Sequence, residues 1–238
     1  MERIIVLTTI YNCDKYLERC LNSIKYQNYK SWICYLLNDL STDNSKQIAE
    51  KYCYEDSRFV LVDNDKKYYQ PGNYDQILRS NLVKDDDIVV EVDGDDWLAT
   101  PEAFSKIVAK HAEGFLITHG SFTHSDGRPG FSKPFSVDQL RVSIANATHL
   151  RSWRAKLWKN IEVTDLFVNG WYAETAGDVF FMIPMLEMAG DDRIYHMEDI
   201  LYIYNESNPI NDHKVNLHKQ LIYANIGRSR NRYTRKFK

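Results

Sequence analysis

Apolar runs and helical patterns alternate through the first half of the chain. Residues 3–9 form a near-continuous apolar run and read as a buried strand. Residues 15–27 follow with Tyr16, Leu17, Cys20, Leu21 and Ile24 at helical spacing. The same alternation predicts strands at 32–37, 59–62, 87–92 and 115–118. It predicts helices at 45–54, 74–82 and 102–112, the last opening after Pro101, which suits a first helical turn. Strands that are apolar throughout, separated by helices, argue for an α/β fold with a parallel sheet covered on both faces. The pattern then loosens. Residues 121–136, with Gly127, Gly130, Pro129 and Pro134, read as a loop, and 148–158 as a short helix. Residues 179–188 read as an apolar helix stopped at Gly190, 193–197 and 201–204 as short strands, and 216–228 as a last helix. No internal repeat is present. We expect one domain, residues 1–238, with a regular half to about 120, an irregular half over 121–227 and a basic tail over 228–238.

Composition narrows the class. The chain has 238 residues, 44% hydrophobic and 26% charged, which excludes collagen-like, low-complexity and disordered chains. The net charge of −3 argues against a surface built for nucleic acid. The opening apolar run is too short for a signal peptide, and no stretch reaches the roughly 18 apolar residues of a membrane span. Cys13, Cys20, Cys34 and Cys53 contain no CxxC pair, so we expect neither a zinc site nor a disulfide scaffold, but reduced thiols in a cytoplasmic protein. Arg228, Arg230, Arg232, Arg235, Lys236 and Lys238 occur without an acid among them. That tail reads either as solvated and frayed or as a peripheral contact to an anionic membrane.

Chemistry is sought where strands end, because ligands in open parallel sheets sit beyond the carboxyl ends of the strands. The segments there are 9–12, 38–43 and 93–96, and two of the three are acid-rich. Asp93, Asp95 and Asp96 follow the apolar run 88–92, whereas Asp85, Asp86 and Asp87 precede it and read as a solvated turn. Carboxylates crowded at a strand end repel one another unless a positive charge stands among them, and a hard divalent cation, Mg2+ or Mn2+, supplies one. An EF-hand starting at Asp93 fails, because its Gly and Glu positions are Leu98 and Phe104. An aspartyl-nucleophile phosphatase also follows a strand with D-x-D, but there the second place after the motif is small, and here it is Trp97.

Thr8-Thr9-Ile10-Tyr11-Asn12, Leu17-Glu18-Arg19-Cys20-Leu21-Asn22-Ser23-Ile24, Asn38-Asp39-Leu40-Ser41-Thr42-Asp43 and Asp93-Gly94-Asp95-Asp96-Trp97-Leu98, in that order, resemble glycosyltransferase family 2, inverting enzymes of the GT-A fold. The resemblance covers about residues 1–110. It implies that 1–120 is a nucleotide-sugar-binding half and 121–227 an acceptor half. It implies that Thr8 and Tyr11 line a base pocket, Asp39 accepts from the base, Asp93 holds the ribose and Asp95 binds Mn2+ or Mg2+ at the diphosphate. The sequence departs from the family at Leu40, where a Gly is usual. By the same resemblance Asp178, opening the helix after Gly177, is the general base, with Glu174 its substitute and Asp191 and Asp192 weaker. His213 would complete the metal shell and Lys214 meet phosphate, while His149 and Arg151 would line the cleft. Trp153, Trp158, Trp171 and Tyr172 are candidates for stacking on an acceptor sugar or for core packing. The implied activity is metal-dependent transfer of a sugar, a hexose or deoxyhexose, from a UDP-sugar to a glycan or glycoconjugate hydroxyl. The rival readings are a binding module without chemistry and the phosphatase.

Overall fold

The chain begins β1 (Ile4–Ile10), α1 (Asp14–Lys25), β2 (Trp32–Asn38), α2 (Ser45–Glu55), β3 (Phe59–Asp63), α3 (Tyr69–Leu78) and β4 (Ile88–Glu91). It continues through β5 (Trp97–Leu98), α4 (Ala103–Ala112), β6 (Ile117–His124), β7 (Ser152–Arg154) and α5 (Ala155–Lys159). The remainder is a hairpin of β8 (Phe167–Val168) and β9 (Trp171–Tyr172), then α6 (Gly177–Ala189), β10 (Ile194–Tyr204), α7 (Asp212–Val215) and α8 (Leu217–Ser229). This computed structural model describes residues 2–142 and 147–237, without the side chains of Asp212 and His213. Among the described residues, eight strands form one sheet in the order β3-β2-β1-β4-β7-β6-β10-β5. Pairing is parallel from β3 to β4 and between β6 and β10; β7 and β5 run antiparallel to their neighbours.

Strand period two sorts β1 between the two faces. Ile5 and Leu7 join a core with Tyr74, Trp153, Trp158 and Phe181, beneath α3, α5 and α6. Ile4 and Val6 join a second core with Leu17, Leu21, Ile24 and Phe104, beneath α1 and α4. Both layers exclude water from the strands, so the ladder runs uninterrupted to the strand ends, where the polar residues stand. Trp153 and Trp158 are core residues in this arrangement, both fully buried.

The structure revises several expected boundaries. α3 starts at Tyr69, not 74, because Pro71 stands in its first turn, where the missing N–H costs no hydrogen bond. The segment read as a helix over 148–158 is a strand followed by one short helix; β7 is three residues long, too short for its periodicity to show. β6 runs on to His124, so the loop begins later than 121. The two late strands are one strand, β10, interrupted by register shifts between Met197 and Ile200 and between Ile200 and Tyr202. Asp87 is no solvated turn residue: it is buried, accepting from Arg3 Nε at 3.0 Å and from the Lys84 N–H at 2.7 Å.

The basic tail is packed, not frayed. Arg230 donates to the Phe167 carbonyl, Tyr233 hydroxyl to Asp165, Arg235 to Asp192 at 2.7 Å, and the Lys236 N–H to the Met188 carbonyl at 3.0 Å. From within the domain, Arg141 forks onto Glu187 at 2.6 and 2.8 Å and also donates to the carbonyls of Arg230 and Asn231. All four cysteines are free thiols, three of them buried. Among the described residues no helix is long and apolar enough to cross a membrane.

His111 gives the fold a pH dependence. Its ring bridges the Phe115 carbonyl at 2.9 Å and Ser152 Oγ at 2.8 Å, and burial, aided by Arg154, holds its pKa down to about 3 from an ordinary 6.5. Between those values the unfolded chain binds the extra proton and the native state does not, so stability present above pH 6.5 is lost as the pH falls. For this one group the loss at pH 5 is about 2 kcal/mol. Urea unfolding of wild type and His111→Gln at pH 7 and pH 5 checks this; the wild type should lose about 2 kcal/mol more than the variant, and parallel losses would remove His111 as the source.

Candidate active site

β1 and β4 end side by side, and their last residues build the floor of a cleft. Thr9 Oγ1 donates to Asp93 Oδ1 at 3.2 Å. Thr8 does not line the cleft, contrary to the expectation for it. One residue along a strand is one face over, and Thr8 is fully buried with its hydroxyl 3.5 Å from Cys34 Sγ. Gly94 is forced by space: a Cβ there would stand 2.7 Å from the Thr9 carbonyl. The turn therefore lies against β1, and Asp93 and Asp95 face the cleft on either side of it.

At the end of β2 the chain reverses through Leu40, in the left-handed region at φ 63°. The conformation that a Gly would provide is kept at a cost of about 1–2 kcal/mol. Asp39 then sits where α3 begins. Its carboxylate accepts from the N–H groups of Tyr68 at 2.9 Å and Tyr69 at 3.0 Å and from Asn64 Nδ2 at 2.9 Å. Lys67 donates to the Asp39 carbonyl at 2.7 Å, and its ammonium lies 3.0 Å from the ring centre of half-exposed Tyr11.

The opposite wall comes from α6. Gly177 packs so close to α3 that a Cβ would fall 2.8 Å from Pro71. Asp178 follows it, and its Oδ2 accepts from Arg151 Nη2 at 3.0 Å. Arg151 Nη1 also donates to both oxygens of Glu91, at 3.2 and 3.1 Å, and its Nε to the Ala147 carbonyl at 2.8 Å. Glu91 is fully buried and takes a further bond from Gln70 Nε2 at 2.7 Å. Tyr11, Asp39, Asp93, Asp95, Arg151 and Asp178 all line one cavity of about 460 Å3. His149 lines it too, with its ring stacked on Tyr202 at 4.7 Å.

The floor is electrostatically crowded. Burial pushes the Asp93 carboxyl up to about 8, and the charges of Glu91 and Asp95 add to this while Arg151 opposes it. Burial raises Asp95 as well, offset by Asn208, whose Nδ2 donates to Asp95 Oδ2 at 2.7 Å. Asp96 is buried beside them and is held by Tyr202 hydroxyl at 2.8 Å and the Asn205 N–H at 2.6 Å. A donor set made of oxygens alone fits a hard cation such as Mg2+ or Mn2+. Among the described residues, however, no group of three or more His, Cys, Asp or Glu converges as a ready-made metal cage.

Other candidates fall elsewhere. Lys214 is directed away from the cavity, its ammonium donating to the carbonyls of Glu206 and, at 3.2 Å, Asn208. His213 lies in α7 and its side chain is outside those described. Glu174 lines the cavity but is paired with Lys219. Asp191 accepts from the Val137 N–H at 2.7 Å and Asp192 pairs with Arg235, neither in the cavity lining. Trp171 and Tyr172 are half-buried in the hairpin; Tyr172 hydroxyl donates to Asp75 at 2.9 Å, and Trp171 Nε1 to the Lys67 carbonyl at 3.0 Å. Sequence reasoning did not single out Lys67, Gln70, Glu91, Asn208 or Lys219 as site residues. Glu91 carried a signal, a charge inside an apolar strand, which requires a buried partner.

Residues 5–169 match the model of glycosyl transferase family 2. The chain belongs to this family. Similar curated relatives include the glycosyltransferase GlyA of Streptococcus pneumoniae, 29% identical over 53% of this chain and 18% of that one. The putative glycosyltransferase EpsE of Bacillus subtilis is 33% identical over 45% of this chain and 37% of its own length. The chain spans 18–52% of the length of the first three curated relatives it matches. Among solved structures, S. aureus TarS 1-349 in complex with UDP superposes with a TM-score of 0.67 at 18% identity, over 94% of this chain and 65% of that one. Glucosyl-3-phosphoglycerate synthase from Mycobacterium tuberculosis, in complex with Mn2+, UDP and glucosyl-3-phosphoglycerate, does so with a TM-score of 0.65 at 14% identity, over 95% and 80%. The mostly parallel sheet flanked by helices is thus the GT-A fold expected from the sequence. Family membership also sets aside the phosphatase reading of Asp93.

Proposed function

We propose that this family 2 member is a metal-dependent inverting glycosyltransferase that uses a nucleotide-diphosphate sugar, a UDP-sugar by preference, and an acceptor hydroxyl on a glycan or glycoconjugate. The observation that carries this is the meeting of Asp39, Asp93 and Asp95 with Asp178 around one cavity of about 460 Å3, a size suited to a small ligand. TarS has been crystallised with UDP-GlcNAc and with UDP, and this supports a uracil nucleotide.

In this reading Asp39, held rigid by two backbone N–H groups, keeps an acceptor lone pair for the base, and Tyr11 covers the base from the solvent side. Asp93 accepts from the ribose. Asp95 would hold Mg2+ or Mn2+, which when bound supplies positive charge to the diphosphate. Asp178 stands at the start of α6, with its Oδ2 held 3.0 Å from Arg151 Nη2. It takes the proton of the acceptor hydroxyl as that oxygen attacks the anomeric carbon. The new carbon–oxygen bond forms on the face opposite the breaking bond to the diphosphate, and the configuration inverts. Arg151 positions Asp178 and, through Glu91, ties it to β4 and so to the same floor that carries Asp93.

Thermal unfolding with UDP, GDP and dTDP, each with and without Mn2+, tests the reading. UDP with Mn2+ at about 100 times its Kd should add about 2.7 kcal/mol to the stability of the native state and raise its Tm. Flat melting curves with all three nucleotides, together with no nucleotide release from any donor sugar, would sink it.

A further inference from the structure

We propose that Asn208 is a ligand of the divalent cation, its side-chain oxygen joining Asp95 once the cation is bound. The inference rests on the metal-dependent reading above and adds a residue to it. Asn208 is 5% exposed, lines the cavity, and holds its amide nitrogen 2.7 Å from Asp95 Oδ2. Adjacent corners of an octahedral shell with metal–oxygen bonds of about 2.1 Å lie roughly 3.0 Å apart. The observed 2.7 Å separation is compatible with two adjacent corners of one such shell, and the amide now presents the positive end of its dipole to the carboxylate. A half-turn of the amide about Cβ–Cγ exchanges nitrogen for oxygen with little displacement of either residue.

The turn costs little around Asn208. Among the described residues its Oδ1 accepts only from the Ile210 N–H, at 3.2 Å, so the turn gives up one long bond and leaves that N–H facing the amide nitrogen. The backbone is held without the side chain. Lys214 donates to the Asn208 carbonyl at 3.2 Å, Asn211 Nδ2 to the Asn205 carbonyl at 3.0 Å, and the Asn205 N–H to Asp96 at 2.6 Å. The consecutive acids thus hold the root of this segment through Asp96 and its tip through Asp95. Charge favours the assignment as well. Glu91, Asp93, Asp95 and Asp96 already crowd the floor, and a neutral amide oxygen adds a hard donor without adding repulsion.

The test is Mn2+ binding in the absence of donor sugar, read by the resonance of free Mn2+, for wild type, Asp95→Asn, Asn208→Ala and Asn208→Asp, each checked by urea unfolding. Asn208→Ala should bind Mn2+ about tenfold more weakly or worse. Asn208→Asp, which keeps an oxygen there, should bind at least as tightly as wild type. In the wild type, electron–nuclear double resonance with isotope-labelled asparagine should show Mn2+ coupled to one side-chain carbonyl carbon, a readout independent of any variant. Unchanged or tighter binding by Asn208→Ala, weak binding by Asn208→Asp, or no such coupling would overturn the role of Asn208 while leaving the metal reading standing. Failure of the wild type to bind Mn2+, with or without UDP, would overturn both.

Discussion

Asp178→Asn should lose sugar transfer by a factor of about 100 to 10,000, the range expected when a general base is removed. UDP affinity in the presence of Mn2+ should stay within about threefold of wild type, since Asp178 is placed on the acceptor side of the cleft and no donor contact is assigned to it. The asparagine keeps an oxygen for Arg151 Nη2, which lies 3.0 Å from Asp178 Oδ2, and Arg151 keeps its two bonds to Glu91. The wall of the cleft should therefore survive. Coupled detection of UDP release, set beside calorimetric titration of UDP, separates the two effects. Transfer within tenfold of wild type would remove Asp178 as the base, and Glu174→Gln would be the next variant to examine. A parallel loss of UDP binding would instead mean that Asp178 serves the donor.

Arg151→Leu should destabilise the fold by about 3–5 kcal/mol, because it strands Glu91 as a buried and uncompensated charge. Glu91 is fully buried and Arg151 6% exposed, so solvent does little to soften the loss. Protonating Glu91 is its escape, and burial already pulls its carboxyl above the ordinary range even with Arg151 present. The variant should accordingly regain part of its stability as the pH falls through the range in which Glu91 takes up a proton, and by more than wild type, where Arg151 opposes that uptake. Arg151→Leu combined with Glu91→Leu should recover most of the loss. Urea unfolding of the two single variants and the double variant closes the cycle. A double variant as unstable as Arg151→Leu alone would show that packing around the guanidinium, not the stranded charge, sets the cost.

The sequence carried the regular half of the fold well because each main strand there is mostly apolar, with its polar residues near the carboxyl end, and the helices between carry their own repeat. Leu17, Cys20, Leu21 and Ile24 are all buried on one side of α1, as their spacing requires. Elements of two or three residues left no such trace. β5, β7, β8 and β9 are each too short to show a period, and they are placed by what they pair with. At the site, Asp39, Asp93 and Asp95 stood out as acids beyond strand ends, whereas Asp178 was reached only through the family resemblance; all four line the cavity. Thr8 was misplaced because side-chain facing depends on a one-residue register that the adjacent pair Thr8-Thr9 leaves ambiguous. Lys214 was misplaced because the course of a loop is decided by distant partners, here the carbonyls of Glu206 and Asn208. Asn208 itself carried no signal: an Asn beside a Pro in a polar stretch reads as a turn, and its partner Asp95 is 113 positions away.

The contact between Gly177 and Pro71 has a bearing on the acceptor. These two residues open the helices that carry the groups assigned to the two ends of the reaction: Asp39 anchors the start of α3, and Asp178 follows Gly177 on α6. Since a Cβ at 177 would come within 2.8 Å of the proline ring, a single hydrogen atom fixes how far apart those helices stand. If the proposed reaction holds, the aperture open to an acceptor hydroxyl is gauged by a steric stop outside the chemistry, and a methyl group at 177 would widen it without altering any charged residue.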